Sequence, residues 1–322
     1  MTIHRLLATV LLGVCLSASA QGPAYPDRPV TAIVTFPPGG STDMIARAIA
    51  PRMGEKLGQQ VIVENKAGAT GAIGATYVRN APPDGYTFMV ASIGVYAVNP
   101  HLQKKMGYDP SKDFDMLTIA VRAPNVLIVN PGLPVNSVAE LIAYLKKNPG
   151  KASFGTSGAG SSDHLTTALF WQNTATSGIH TPYKGGAAVL ADLMAGHIDA
   201  SFQNLNVVVP HVKAGKLKAL TITSEQRSPL LPNVPTVGEA GLKDMNVYSW
   251  QALAAPKGIP PVVKAKLHAA SSAALNDPQL KAKLVDQGFE VVANTPQEAT
   301  RFQAEELARW KKVIEVGGIT VD

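Results

Sequence analysis

The stretch VTAIVTFPPGGSTDMIARAIA, residues 30–50, decides the fold of this chain. Its first five residues are apolar and largely β-branched, which predicts a buried strand, and its last seven residues predict a helix. Between them two prolines end the strand, because proline cannot donate to a ladder. Two glycines then let the backbone turn sharply. The next three residues are all types that cap helices: Ser41, Thr42 and Asp43.

We name residues 36–43 the first glycine loop. A strand, a glycine turn and a capped helix start together predict an anion-binding site, because backbone N–H groups converge there and the helix dipole favours negative charge. The alternative is a tight connection between strand and helix that binds nothing. A second loop of the same kind favours the anion site over that alternative.

This second glycine loop comprises residues 156–164, TSGAGSSDH. Residues 152–155 before it predict a strand, and a helix is predicted after it through Trp171. If both loops face one cleft, two anion sites lie opposite each other, and a ligand with two separated anionic groups satisfies both.

The first twenty residues have the pattern of a secretory signal: Arg5, an apolar run over residues 6–16, and the small residues ASA at 18–20. We expect cleavage after Ala20 and a protein located in the periplasm. Cys15, the only cysteine, is then removed with the signal, so no disulfide is expected. The alternative is a lipoprotein signal in which Cys15 is retained.

The charges exclude some function classes. The chain has 29 Lys and Arg against 23 Asp and Glu, but these charges are scattered, whereas a nucleic-acid-binding protein concentrates positive charge on one face.

The seven histidines form no i,i+4 pair, so no metal and no cofactor are predicted. The stretch GTSGA, residues 155–159, also lacks the GxSxG sequence of a nucleophile elbow, because its fifth residue is Ala159 instead of glycine.

The order of predicted elements gives the architecture. Strands and helices alternate over the first hundred residues, which predicts an α/β fold with a parallel sheet. Residues 116–121 and 125–129 predict two strands separated by Arg122-Ala123-Pro124, where the chain crosses into a second domain. A strand over residues 217–223 is predicted to bring it back. The predicted domains are residues 21–121 with 223–322, and residues 122–222 inserted between them, so that the pair closes by a hinge.

Eight short motifs resemble those of one family in combination. They are YPDRPV (25–30), FPPGGSTD (36–43), VENKAGATG (63–71), PPDGYT (82–87), GAGSSDH (158–164), PYKGG (182–186), DLMAGHID (192–199) and PTVGE (235–239). Through these motifs the chain resembles the Bug-type receptors, the periplasmic substrate-binding proteins of tripartite tricarboxylate transporters, and the resemblance spans the whole mature chain.

The resemblance implies a two-lobed periplasmic-binding fold, type II-like, with the ligand cleft between the lobes. It implies a monomer that captures a small carboxylate, a di- or tricarboxylate, aliphatic or aromatic, and delivers it to the membrane subunits of a transporter. No catalysis is expected. Two alternatives remain open: a receptor that reports the same ligand to a signalling partner, and a hydrolase with an unrecognised site.

The resemblance also implies that main-chain N–H groups and hydroxyls of the two loops hold the carboxylates, with further contacts at strand ends. No lysine or arginine is placed at either loop, so helix ends are expected to supply most of the positive potential. His164 either donates to a ligand carboxylate or packs and bonds locally. The predicted ligand-binding residues are Pro38, Gly39, Gly40, Ser41, Thr42, Asp43, Ser92, Thr156, Ser157, Gly160, Ser161, His164 and Asn204.

Overall fold

The computed structural model describes residues 25–103 and 106–320. The predicted signal, residues 1–20 with Cys15, lies outside them. The strands are β1 (Val30–Val34), β2 (Val61–Asn65), β3 (Thr87–Ser92), β4 (Phe114–Val129), β5 (Ser153–Thr156), β6 (Ile179–Pro182), β7 (Ala200–Asn204), β8 (Lys218–Ile222), β9 (Tyr248–Pro256) and β10 (Glu290–Val291). The helices are α1 (Ser41–Leu57), α2 (Ala72–Arg79), α3 (Asn99–Leu102), α4 (Val138–Lys147), α5 (Ser162–Thr174), α6 (Gly186–Ala195), α7 (Leu205–Lys213), α8 (Pro261–Leu275), α9 (Pro278–Asp286) and α10 (Pro296–Gly317).

The strands form one mixed sheet in the order β2-β1-β3-β9-β4-β7-β5-β6, and β8 and β10 also pair with β4. At one end β1 runs parallel to β2 and β3. At the other end β5 runs parallel to β6 and β7. Strand β9 is antiparallel to both of its neighbours, β3 and β4. The predicted α/β class is therefore confirmed, with the parallel strands concentrated at the two ends of the sheet.

Strand β4 links the two ends of the sheet. Its residues 114–124 pair with β9, its residues 125–129 pair with β7, and residues 126–129 also pair with β8. The predicted break at Arg122-Ala123-Pro124 was wrong: these residues stay in register with β9 and the strand continues to Val129. Pro124 is the last residue paired with β9, and the ladder with β7 begins one residue later. The domain boundaries at 122 and 223 stay a prediction.

Strand β9 shows how the sheet separates core from site. Trp250 is fully buried, and its indole N–H donates to Glu306 at 2.9 Å. Side chains alternate across a strand, so Ser249 and Gln251 point to the opposite face from Trp250. Trp310 is also fully buried, and its indole N–H donates to the same Glu306 oxygen.

Some local elements were not predicted. Helix α7 follows β7 directly, and a π-helical turn over Gly94–Val98 follows β3 and leads into α3. Within the described part of the chain, no helix combines the length and the apolar character needed to cross a membrane.

Candidate functional site

Four helices begin at one cavity of about 410 Å³ between the two glycine loops, which we name the main cavity. The residues that precede the first turns of α1, α5, α6 and α7 all line it: Gly40, Ser161, Gly185 and Asn204. The first N–H groups of a helix have no partner inside the helix, and its N-terminus carries partial positive charge. The cavity therefore collects four positive helix ends, which suits anionic ligands.

Apart from the helix starts, the lining combines hydroxyl and amide side chains with apolar surface from Phe36, Pro37, Pro38, Ile93 and Ala159. Among the described residues, only two charged side chains line the cavity, Asp163 and Lys184. Lys184 lies between β6 and α6, where the sequence predicted no ligand contact. The polar lining residues outside the two glycine loops are Thr70, Ser92, Lys184, Asn204, Ser249 and Gln251.

The first helix begins inside the first glycine loop, three residues before the helix predicted over 44–50. Helix α1 starts at Ser41, and Gly40 precedes it in an extended conformation with φ −80°, without a side-chain cap. The predicted capping by Ser41, Thr42 or Asp43 was therefore wrong. Gly39 has φ +86°, so it alone in this loop needs the conformational freedom of glycine.

Asp43 closes the first glycine loop from inside the first turn of α1. Its carboxylate accepts hydrogen bonds from the Gly39 N–H at 3.0 Å, from Arg47 Nε at 3.0 Å and from Asn65 Nδ2 at 2.9 Å. Burial acts to raise the pKa of Asp43, but the bonds from Arg47, Gly39 and Asn65 outweigh it and lower the pKa below its ordinary value. Asp43 is thus an ionised internal brace for the loop.

Asp163 closes the second glycine loop in a similar way. It accepts hydrogen bonds from the Ser157 N–H at 2.6 Å, from the Ser157 hydroxyl at 2.7 Å and from Gln203 Nε2 at 2.6 Å. Burial raises the pKa of Asp163 despite the serine hydrogen bonds, which act in the opposite direction. Among the described residues, no lysine, arginine or histidine forms an ion pair with it.

The turn of the second glycine loop is held by its own residues. Gly160 has φ +77°, and its N–H donates to His164 Nδ1 at 3.1 Å. The Ser161 hydroxyl donates to the Gly158 carbonyl at 2.6 Å and accepts from the His164 N–H at 3.4 Å. Ser161, Asp163 and His164 are the residue types of a hydrolytic triad, but their hydrogen bonds stabilise the conformation of the loop.

His164 packs behind the loop against His180. The two rings are parallel, with centroids 3.9 Å apart, and His180 Nε2 lies 2.7 Å from the Thr156 hydroxyl. Burial, followed by the proximity of His180, lowers the pKa of His164 to about 4. His164 and His180 line a separate cavity of about 370 Å³. The local, packing role is thus the one that the geometry supports for His164.

The structure separates the predicted site residues into two groups. Nine of them line the main cavity: Pro38, Gly40, Ser41, Thr42, Ser92, Ser157, Gly160, Ser161 and Asn204. The other four brace the loops instead: Gly39, Asp43, Thr156 and His164. Ligand contact at the nine stays a prediction. Among the described residues, no cluster of three or more His, Cys, Asp or Glu could hold a metal ion.

Sequence reasoning missed Lys184, Gly185, Ser249 and Gln251. The GG sequence at 185–186 gave a signal, because it places a third glycine turn before a helix. The alternation around Trp250 gave another, since a polar residue on each side of a core tryptophan indicates a strand with one polar face.

Comparison with known proteins identifies relatives of this chain. The model of the tripartite tricarboxylate transporter family receptor matches residues 45–319. The periplasmic binding protein BugD is 34% identical with a TM-score of 0.81, covering 92% of this chain and all of BugD. Rpa4515 from R. palustris, solved with adipate, is 38% identical with a TM-score of 0.84, covering 92% of this chain and all of that one. MatC from Rhodopseudomonas palustris, with bound malate, is 33% identical with a TM-score of 0.81, covering 90% and 100%.

Proposed function

Because this chain belongs to the family of tripartite tricarboxylate transporter receptors, we propose that it captures a small di- or tricarboxylate in the cavity between its glycine loops. It then delivers this ligand to membrane subunits of the tripartite tricarboxylate type. The predicted secretory signal and the family both support a periplasmic location for this step.

The observation that carries the proposal is the set of four helix starts at one cavity. Helix N-termini offer N–H donors and positive potential, and both stabilise a carboxylate. Lys184 adds a full positive charge to the lining. The one lining carboxylate, Asp163 among the described residues, is already bonded to Ser157 and Gln203. A ligand with two or three negative charges therefore meets donors on both sides of the cavity.

Two of the similar structures support the class of ligand, since one holds adipate and the other malate. In this chain we assign one carboxylate to the start of α1, at Gly40, Ser41 and Thr42. A second carboxylate lies at the starts of α5 and α6, near Lys184. Because β4 pairs with β9 along its first part and with β7 and β8 along its last part, ligand binding closes the two predicted lobes about this strand.

A thermal-shift screen over mono-, di- and tricarboxylates tests the proposal. A ligand at about 100 times its Kd stabilises the folded protein by about 2.7 kcal/mol, which raises the Tm of a chain of this size by about 5 °C. We expect di- and tricarboxylates to give this shift, and monocarboxylates a much smaller one. If no carboxylate raises the Tm while another class of solute does, the proposal is wrong.

Gly40→Val is the matched control for this screen. The extended φ of Gly40 accepts a branched residue, and a Cβ there meets only the Pro37 carbonyl, at 3.8 Å. The variant should fold normally, but its side chain occupies space in the cavity that Gly40 lines. The carboxylate-dependent shift should therefore disappear in this variant while the Tm without ligand stays unchanged.

A further inference from the structure

The floor of the main cavity contains a buried amide with an unpaired oxygen. Gln251 lines the cavity with only 2% of its surface exposed. Its Oε1 has no hydrogen-bond partner among the described residues. A buried acceptor left unpaired is unfavourable, so its presence at a cavity indicates that a bound group completes it.

The position of Gln251 in the sheet places further polar groups beside it. Gln251 on β9 lies directly opposite Ser92, the last residue of β3, so the two side chains share one face of the sheet. Ser249 lies two residues away on the same face. All three residues line the cavity and form a polar strip across its floor.

The other buried polar atoms without a partner are elsewhere. In the described ranges they are Thr35 Oγ1, His101 Nε2, Trp171 Nε1 and Asn206 Oδ1. None of these four residues lines the main cavity. The unpaired group at the site is therefore Gln251, which lies on the sheet floor rather than on a glycine loop.

The chemistry of an amide limits what it recognises. Oε1 accepts and Nε2 donates, and a half-turn of the amide exchanges the two. A ligand hydroxyl both donates and accepts, so it pairs with either orientation. An ammonium group only donates, and here it would meet four positive helix ends and Lys184 without a free carboxylate, because Asp163 is already bonded to Ser157 and Gln203.

We propose that Gln251 is a specificity-determining residue, which selects carboxylates bearing a hydroxyl on the carbon chain over their unsubstituted and amino counterparts. This inference rests on the proposed function and adds the ligand substituent that the site recognises, a hydroxyl. The carboxylates bind at the helix starts, and the hydroxyl pairs with the amide on the floor. Without the hydroxyl, the amide loses its partner when the ligand displaces water from the cavity.

Calorimetric titration with matched pairs tests the proposal. The pairs are malate with succinate, 2-hydroxyglutarate with glutarate, and citrate with tricarballylate, and aspartate and glutamate supply the amino counterparts. In the pair whose length fits the cavity, we expect the hydroxylated member to bind at least about tenfold more tightly, as sites built for a hydroxyl reject analogues that lack it. Equal affinity within every pair that binds overturns the inference but leaves the proposed function intact. Absence of binding by every carboxylate rejects the proposed function itself.

Gln251→Met and Ser41→Ala separate selection from general binding. Gln251→Met keeps the length of the side chain and removes both polar atoms, so the hydroxylated ligand should fall to the affinity of its partner. Ser41→Ala, at the carboxylate end, should weaken both members of a pair equally and preserve their ratio. Gln251→Asn, which keeps an amide, serves if the methionine variant does not fold. A hydroxyl preference that persists in a folded Gln251→Met variant contradicts the role of Gln251.

Discussion

The two glycine loops are closed by the same device in two different environments. In each loop, an aspartate in the first turn of the following helix accepts a hydrogen bond from a backbone N–H of the loop. Asp43 accepts from Gly39, and Asp163 accepts from Ser157. The first glycine loop exposes residues 37–40 to solvent, whereas the second has no exposed residue. Asp43 pairs with the half-exposed Arg47, while Asp163 is bonded to the neutral Ser157 and Gln203.

The difference shows that two loops of similar sequence are packed to different degrees. The first glycine loop has open space around Gly39, where an added Cβ meets nothing within 4 Å. In the second glycine loop, a Cβ on Gly160 would lie 2.9 Å from Leu102. We infer that the second loop is the fixed wall of the site and that the first adjusts to the ligand.

The largest expected effect separates Gly160→Val from Gly40→Val. At φ +77° a β-branched residue is strained, and its Cβ also meets Leu102, so the free energy of unfolding should fall by about 1–3 kcal/mol. Gly40→Val should leave this free energy within about 0.5 kcal/mol of the parent, because its φ is ordinary. Urea denaturation measures both. Equal losses in the two variants would show that the loops are mechanically equivalent.

Asp43→Asn and Asp163→Asn test the two electrostatic environments through pH. Asp43 has a lowered pKa, so its stabilisation is present above its ordinary value of 3.8 and is lost as pH falls through the folded value. Asp43→Asn should therefore cost about 1–2 kcal/mol near pH 7, reduced by solvent at Arg47, and less in acid. Asp163 has a raised pKa, so its contribution is largest below its ordinary value of 3.8 and is lost as pH rises through the folded value.

The difference in unfolding free energy between the parent and each variant, measured by urea denaturation from about pH 2 to 7, shows whether the contribution of each aspartate rises or falls with pH. It should grow with pH for Asp43→Asn and shrink with pH for Asp163→Asn. Arg47→Gln is the matched control, because it should remove part of the pH dependence at Asp43 and none of that at Asp163. Parallel curves for the two aspartate variants would contradict the contrast between an ion-paired loop and a buried one.

The sequence predicted the loops better than it predicted their internal bonding. Strand, glycine turn and helix start were local patterns, so β1, α1, β5 and α5 were found. The sequence did not show that Asp43 turns back to Gly39 or that Thr156 faces His180, because these contacts depend on the path of the backbone. For the same reason the sequence did not show which of the two glycines has the positive φ, which belongs to Gly39 and not to Gly40.

Local sequence patterns could not predict the residues that reach the cavity across the sheet. Gln251 comes to the cavity because β9 inserts between β3 and β4, a pairing that joins residues far apart in sequence. The run 116–129 was interrupted in the prediction because proline usually ends a strand. Here the ladder changes partner at that point, so Pro124 is tolerated.

The smallest effect compares the serines at the two helix starts. Ser161 caps α5 and bonds to Gly158, so Ser161→Ala should lower the free energy of unfolding by about 1 kcal/mol, the usual value of an N-cap. Ser41 lies after the cap of α1 and lines the cavity, so Ser41→Ala should leave stability unchanged and reduce the free energy of binding by about 0.5–1.5 kcal/mol, the net value of one hydrogen bond. Urea denaturation and calorimetric titration on both variants make the comparison. If Ser41→Ala loses stability and keeps its affinity, the first glycine loop uses its serine as the second does, and the proposed contact between Ser41 and a carboxylate is wrong.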